Sequence, residues 1–230
     1  NRCRRQRQMC IRDRIDTQKI GNFHLHISKI KKGSINLNDR VKAEINTERR
    51  RAIVSNHSAT HLMHSALRNI LGEHVQQKGS LVNEEKLRFD FSHKQKLSES
   101  EIVKIEQEVN QAIVSAEDTQ IIETSIEESQ KLGAIAFFGE KYGDQVRVLK
   151  IAGDYSTELC GGTHVKNSSE IKSFKIISET SISSGVRRIE AISGDLAIKD
   201  KADNKTDLLN TAETFNAVSY THLRAHETHE

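Results

Sequence analysis

Four side chains of the kind that bind metal ions occur in this sequence as two pairs of equal spacing. NHSATHLMH contains His57 and His61, and CGGTH contains Cys160 and His164. On an α-helix, residues four apart lie on one face, so the first pair would project its imidazoles in the same direction. In the second pair, the two glycines let the backbone turn tightly and bring both side chains to one point. Three imidazoles and one thiolate suit Zn²⁺ better than Mg²⁺ or Ca²⁺, so we predict that the four residues bind one zinc ion.

Other interpretations of these residues are weaker. His64 follows His61 by three residues and could replace a ligand, although we expect it to point away. A helical metalloprotease site would need Glu after the first histidine, where this chain has Ser58. A zinc finger does not fit, because strands and a long helix are predicted between the two pairs. The remaining alternative is a solvated helix face that carries the histidines, with Cys160 an inert buried thiol.

The composition is that of a globular domain. Of 230 residues, 35% are hydrophobic and 29% are charged, and the formal net charge is +3, which neither requires nor excludes nucleic-acid binding. No apolar run reaches the roughly 20 residues of a membrane span. Three cysteines form no disulfide framework, so we expect a cytoplasmic protein without a membrane partner.

The two ends of the chain are related to each other through their codons. A back-translation of MCIRDR (9–14) has a reverse complement that encodes VSYTH (218–222). Unrelated protein termini seldom have this relation, so we interpret both ends as translated adapter sequence rather than native protein. The alternative for the first of them is a basic arm that binds RNA. We expect both ends, 1–14 and 218–230, to lie outside the fold and to be dispensable.

Hydrophobic periodicity divides the central chain into an α+β arrangement, an antiparallel sheet with packed helices. Period-two alternation at the start predicts strands of a small, incomplete β-barrel. A period near 3.6 then predicts a helix from about residue 51 to Gly72, and Ser98 with Glu101 forms a predicted capping box for another. The stretch STELCGGTHV is predicted to be a loop. The predicted segments are a non-native tail (1–14), a partial β-barrel (15–50), the zinc-containing domain (51–195), a helix (196–217) and a second tail (218–230).

Four longer stretches carry a family resemblance: NHSATHLMHSALRNILGEHVQQKGSLV, LRFDFSH, CGGTHV and GVRRIEAISG. They closely resemble the editing domain of alanyl-tRNA synthetases, and the similarity covers about residues 15–213. More distantly, the two metal-binding pairs resemble the editing domains of threonyl-tRNA synthetases and of free-standing alanyl-tRNA editing proteins. The resemblance implies the synthetase editing-domain fold, preceded by part of the family's β-barrel.

The implied function is hydrolysis of mischarged Ser-tRNA(Ala) and Gly-tRNA(Ala), with one Zn²⁺ as cofactor and the acceptor end of tRNA(Ala) as partner. In the family, a class II aminoacylation domain that binds ATP precedes this region. Nothing in this chain resembles its ATP-binding motifs, so we do not expect the chain to activate alanine. The last predicted helix would lead into the family's C-terminal region.

The resemblance also implies roles for five further residues. Thr60 would face the aminoacyl group, where its hydroxyl could pair with a serine hydroxyl, and Gln77 matches a glutamine of the editing pocket. Lys78, Arg187 and Arg188 could contact phosphates near the tRNA end. The alternatives are a helix threonine bonded to a backbone carbonyl, a polar loop residue and solvated charges.

Two other functions remain open. One is a degenerate domain that binds zinc and tRNA without activity, although no predicted zinc ligand is lost. The other is a regulatory zinc-binding domain with no RNA partner.

Overall fold

The computed structural model describes residues 11–21, 23–42, 44–136, 143–206 and 211. The chain separates into two compact units, the first ending at Ile45 and the second beginning at Asn46. The two units are therefore described one at a time.

The first unit contains an antiparallel hairpin. Strand β1 (Ile11–Ile20) pairs with strand β2 (Phe23–Lys32) around Gly21, which has a positive φ of 58°. Two strands alone enclose no core, and the large apolar side chains between residues 15 and 30 of this hairpin are exposed, Phe23 by 80%. Among residues 11–21, 23–42 and 44–46 there is no other strand or helix, so the β-barrel part of the fold prediction is not confirmed.

The predicted tails lie partly outside the described residues. Residues 1–10 and 218–230 are not described, whereas residues 11–14 belong to β1 and pair with residues 28–32 of β2. The predicted boundary after residue 14 therefore falls within a strand of the exposed hairpin. That both ends are non-native and dispensable stays a prediction.

The second unit is an α+β domain with antiparallel sheets, which confirms the predicted fold class. None of the helices in the described parts of the chain is both long enough and apolar enough to cross a membrane. In chain order its elements are α1 (Thr47–Leu71), β3 (Gln77–Val82), β4 (Leu87–Ser92), α2 (Glu99–Val114), β5 (Gln120–Ser125), α3 (Ile126–Lys131), β6 (Gln145–Ile151), β7 (Ser156–Leu159), a 3₁₀ turn (Ser168–Ile171), β8 (Phe174–Ser183), β9 (Val186–Ser193) and α4 (residues 194–206).

Local capping signals set the ends of the long helices. The side chain of Asn46 accepts a hydrogen bond from the backbone N–H of Arg49, so α1 begins at Thr47, four residues before the predicted start. The helix ends at Gly72, as predicted, where φ is 112° and the backbone N–H donates to the carbonyl of Arg68. The capping box of Ser98 and Glu101 is present at the start of α2, as predicted.

Helix α1 lies between two antiparallel sheets. Strands β3, β4, β9 and β8 form one sheet in that order, and β5, β6 and β7 form the other. The helix contacts strands of both, and of its residues 55–67 all but His57 are buried. Leu62, Met63 and Leu67 pack into a core that also contains Phe89 and Phe91 of β4. His61 and His64 are therefore buried inside the domain, whereas His57 is half-buried.

Asn56 fastens the middle of α1 to the four-stranded sheet. Its side-chain nitrogen donates to the backbone carbonyl of Asn83, at 2.9 Å. Its oxygen accepts from the backbone N–H and from the hydroxyl of Ser193, at 3.1 and 2.7 Å. All three contacts join residues far apart in the sequence, and the Asn56 side chain is 2% exposed.

Replacing Asn56 with Ala should lower the free energy of unfolding by about 2–3 kcal/mol, because the buried groups of Ser193 and the partly buried carbonyl of Asn83 would lose their partners. Denaturant unfolding followed by circular dichroism measures this. Asn69 on the same helix is exposed and makes one side-chain hydrogen bond, to Glu108. The matched variant Asn69→Ala should therefore change stability by less than about 0.5 kcal/mol. Equal losses in the two variants would contradict the role given to Asn56.

Candidate metal centre

The structure brings together the four residues predicted to be ligands. His57, His61, Cys160 and His164 each offer one ligand atom, and these atoms lie within 4.8 Å of one another. The Cys160 sulfur is 3.7 Å from Nε2 of His57 and 3.3 Å from Nε2 of His164. It is the one cluster of this kind found in the described part of the chain.

The second pair lies at the end of a strand, and the prediction of a loop over STELCGGTHV is wrong in its first part. Ser156–Leu159 forms β7, which pairs with β6 so that Leu159 is opposite Val148. The two glycines made the whole stretch look like a loop, but only the part after Leu159 is irregular. Because side chains alternate along a strand, Leu159 packs with Val148 in a small second core, while Glu158 and Cys160 share the opposite face.

Arg147 and Ser58 hold the irregular part of this segment in position. The guanidinium of Arg147 donates to the backbone carbonyl of Gly162, and the backbone N–H of Cys160 donates to the carbonyl of Arg147 at 3.0 Å. From the other side, the hydroxyl of Ser58 on α1 accepts from the backbone N–H of Val165 at 3.1 Å. The loop is thus fixed both to β6 and to the helix that carries the histidines.

The protonation of Cys160 and His164 favours metal binding. Burial acts against ionisation of Cys160, but hydrogen bonds with His164, His57 and His61 outweigh it and lower the pKa of the thiol to about 3. Burial is also the main reason that the pKa of His164 is lowered to about 4. At neutral pH the cluster therefore offers a thiolate and a neutral imidazole, which are the forms that bind metal ions.

Glu158 is a residue of the site that the sequence reasoning missed. It is 1% exposed, and its carboxylate contacts Nδ1 of His61 and, at 2.7 Å, Nδ1 of His64. Burial opposes its ionisation, but the two histidines, chiefly His61, lower the pKa of the carboxyl to about 2. The signal that could have identified it is its position two residues before Cys160, which on a strand puts both side chains on one face.

His64 points to Glu158 and is not one of the four clustered residues. Its ring lies 5.2 Å from the ring of Phe89, measured between centroids, and its side chain is buried. The structure thus separates the three histidines of NHSATHLMH into two that reach Cys160 and one that does not.

A cavity of about 290 Å³ opens next to the cluster, and both residues implied for the aminoacyl pocket line it. Thr60 is 4% exposed, and its hydroxyl donates to the backbone carbonyl of Asn56 at 2.8 Å. Gln77 begins β3 on the neighbouring sheet. Of the four clustered residues, all but His164 also line the cavity, together with His64, Glu158 and Phe89.

The three basic residues implied for phosphate contacts lie outside this lining. Lys78 is exposed, with Nζ 3.5 Å from the side-chain oxygen of Gln76. Arg187 donates to Glu179, and Arg188 forms two hydrogen bonds with Asp90, at 2.7 and 2.9 Å. A phosphate at either arginine would compete with a carboxylate that is already bound.

The donor set of the cluster fits a tetrahedral metal ion of the zinc type. It consists of three imidazoles and one cysteine side chain, and both kinds of ligand bind zinc in tetrahedral sites. The close approach of Gly162 supports the fit, because a Cβ atom there would lie 2.9 Å from Nδ1 of His57 and closer still to Cε1. Only a residue without a side chain lets the backbone at position 162 lie this close to the His57 ring. These residues could hold one metal ion.

Comparison with known proteins agrees with this geometry. Residues 146–190 match the family described as the threonyl and alanyl tRNA synthetase second additional domain. The chain is 54% identical over 184 residues to an alanine–tRNA ligase of Alkaliphilus metalliredigens, which is 80% of this chain and 21% of that protein. It is 48% identical over 222 residues to the alanine–tRNA ligase of Alkaliphilus oremlandii, covering 94% of this chain and 25% of the relative.

The chain belongs to the alanyl-tRNA synthetase family. A third relative, the alanine–tRNA ligase of Xanthomonas axonopodis pv. citri, is 51% identical over 86% of this chain and 22% of its own length. The chain therefore spans between a fifth and a quarter of the length of these relatives. The matched family region runs from β6 into β9 and contains Glu158, Cys160 and His164, whereas His57 and His61 lie before it.

Replacing Gly162 with Ala should weaken metal binding, because the added methyl group would displace the His57 ring. Metal content after dialysis, and competition with a chelator, measure this. Gly161 is the matched control, since a Cβ atom there would meet no atom within 4 Å and its φ is not in the positive region. Gly161→Ala should retain the metal affinity of the parent chain. Equal affinity in Gly162→Ala would show that the loop does not define the ligand geometry.

Proposed function

We propose that this chain carries the editing activity of the alanyl-tRNA synthetase family, the hydrolysis of the ester in Ser-tRNA(Ala) and Gly-tRNA(Ala). One observation carries the proposal. In a chain of this family, four potential zinc ligands converge beside a cavity that Thr60 and Gln77 also line. The volume of that cavity, about 290 Å³, lies just below the range for drug-sized ligands, roughly 300–1,000 Å³, which suits a small aminoacyl group.

Editing answers a physical limit on the selection of alanine. A pocket shaped for alanine cannot exclude glycine, which is smaller, and it discriminates only weakly against an added hydroxyl group. A second, hydrolytic site that accepts the wrong products restores accuracy. The editing site must therefore distinguish serine from alanine by the hydroxyl group.

Thr60 is suited to that distinction. Thr60 lines the cavity, and because its hydroxyl donates to the carbonyl of Asn56, the oxygen retains its capacity to accept a hydrogen bond. A serine hydroxyl can donate to it, whereas the methyl group of alanine cannot. Gln77, across the cavity, would hold the polar part of the aminoacyl group through its amide.

The bound cofactor would be one Zn²⁺, held by His57, His61, Cys160 and His164. A zinc ion with four protein ligands has no open position for water, so it would supply structural order rather than an activated nucleophile. Its ligands come from α1 and from the segment after β7, and binding would fix these two walls of the cavity relative to each other.

The partner would be the acceptor end of tRNA(Ala). Lys78 is the most accessible of the three predicted phosphate contacts, and it follows Gln77 directly along β3. Arg187 and Arg188 would take part only by exchanging a carboxylate for a phosphate. We therefore expect tRNA binding that weakens steeply with salt, because phosphate contacts supply much of such affinity.

An inactive domain that binds zinc and tRNA is the second candidate. The observation that favours it is the engagement of both arginines by carboxylates, which weakens the case for a productive tRNA complex. The two proposals differ in whether the ester is cleaved.

The wild-type chain should release serine from Ser-tRNA(Ala) and leave Ala-tRNA(Ala) intact, and Cys160→Ala should lose both zinc and this activity. Release of labelled amino acid from the two charged tRNAs, with zinc content and tRNA binding measured on the same samples, tests the prediction. Ser-tRNA(Ala) left intact by zinc-loaded chain at saturating concentration contradicts the editing function. Binding of tRNA without cleavage would then favour the inactive domain.

Thr60→Val should reduce the preference for Ser-tRNA(Ala) over Ala-tRNA(Ala) by about 5- to 30-fold, since a single hydrogen bond of about 1–2 kcal/mol is removed. The carbonyl of Asn56 keeps its helical partner, so stability should change less than selectivity. Thr60→Ser retains the hydroxyl and is the matched control. Unchanged selectivity in the valine variant would leave Thr60 as an ordinary helix residue.

A further inference from the structure

We propose that Glu158 is a positioning residue that fixes the ring of His61 with Nε2 directed at the metal site, and that His64 anchors the same carboxylate from its other side. The proposal rests on the proposed metal centre. It assigns roles to a buried carboxylate and a buried histidine that are not themselves ligands.

The contacts of Glu158 define the arrangement. One carboxylate oxygen contacts Nδ1 of His61 and the other contacts Nδ1 of His64. The side chains of all three residues are no more than 4% exposed. Both carboxylate oxygens face a ring nitrogen and a carboxylate is an acceptor, so we assign a hydrogen to Nδ1 of each ring.

This arrangement leaves one nitrogen of His61 for the ligand cluster. Because Nδ1 of His61 is engaged by Glu158, Nε2 is the ring nitrogen that can serve as the ligand atom. His57 and His164 also present Nε2 to the Cys160 sulfur. All three imidazoles would therefore bind the metal through the same nitrogen, and in His61 the carboxylate determines which one it is.

His64 explains how the carboxylate itself is held. His61 and His64 are three residues apart on α1, so their rings lie on the same side of the helix and reach one carboxylate. Glu158 is on β7 of the three-stranded sheet, with Leu159 packed in the small core behind it. The contacts of Glu158 with His61 and His64, together called the clamp, therefore join the helix to this sheet at the point where the ligands of the two segments meet.

Partners of this kind orient metal-binding histidines in other proteins, and removing one commonly costs 10–100-fold in metal affinity. Glu158→Gln is the sharpest test because it keeps the shape of the side chain. The amide has one accepting oxygen and one donating NH₂ group, so it cannot accept from both Nδ1–H groups. Either the proton of His61 moves from Nδ1 to Nε2, or the contact between Glu158 and His64 is lost. In both cases the ring of His61 is held less firmly in the orientation that binds the metal.

Glu158→Gln should reduce zinc affinity by about 10–100-fold, measured by competition with a chelator at constant pH. Asp90→Asn is the matched control, since Asp90 is another buried carboxylate whose partner is Arg188 and which does not line the cavity. It should leave zinc affinity unchanged. His64→Phe keeps a ring beside Phe89 and the contact between His61 and Glu158, so its loss should be smaller than that of Glu158→Gln.

Nitrogen-15 NMR of the zinc-loaded chain gives a readout that a general structural role would not move. We expect one metal-bound histidine with Nε2 on the ion and a strongly hydrogen-bonded Nδ1–H, and this proton signal should shift or vanish in Glu158→Gln but not in Asp90→Asn. Wild-type zinc affinity in Glu158→Gln would overturn the proposal. If that variant does not fold, absence of such a signal from the wild-type chain overturns it.

These measurements separate this proposal from the proposed function. A chain that binds zinc through the clamp but leaves Ser-tRNA(Ala) intact would retain the role of Glu158 and lose the editing activity. A chain that hydrolyses Ser-tRNA(Ala), and whose zinc affinity is unaffected by Glu158→Gln, would retain the editing activity and lose the proposed role of Glu158. A wild-type chain that binds no zinc overturns the clamp outright.

Discussion

The burial of helix α1 between two sheets is the constraint on which the rest of the domain depends. A helix that contacts strands on both sides has no solvated face along its middle turns, yet this one carries Asn56, Ser58, His61 and His64 there. Polar groups removed from water are costly unless they are hydrogen-bonded. The surrounding segments supply the partners, and most of these are more than 90 residues away in the sequence.

Because of this requirement, the buried polar residues of α1 also attach distant segments of the chain to the helix. Asn56 reaches the turn before β4 and the end of β9, while Ser58 reaches the segment after β7. His61 and His64 reach Glu158 on the other sheet. Each contact satisfies a buried group, and each also brings a distant segment to the helix. The same contacts therefore pack the domain and bring the residues of the site together.

Charge places a second condition on the centre. Cys160 and Glu158 are both held in their ionised forms, on opposite sides of His61. Their combined effect raises the pKa of His61, although burial opposes it. A divalent cation bound by the four ligands would offset the negative charge of these two groups and would displace the proton from Nε2 of His61. The electrostatics of the buried residues therefore favour a cation where the ligand atoms converge.

The sequence by itself determined the chemistry of the site and the elements that carry it. Spacings of four residues, on a helix and around two glycines, are local, so the pairing of His57 with His61 and of Cys160 with His164 could be predicted. Local capping signals likewise predicted the end of α1 and the start of α2. The family resemblance likewise pointed to Thr60 and Gln77, and both line the cavity.

Tertiary structure alone decided the rest. Glu158 became part of the centre because a four-residue strand pairs with β6, and pairing between strands leaves little trace in so short a sequence. The carboxylate partners of Arg187 and Arg188 could not be predicted either, since they depend on which residues meet across strands β4, β8 and β9. Local periodicity specifies the direction of a side chain on its own element, but the group it meets is set by the packing of elements far apart in the chain.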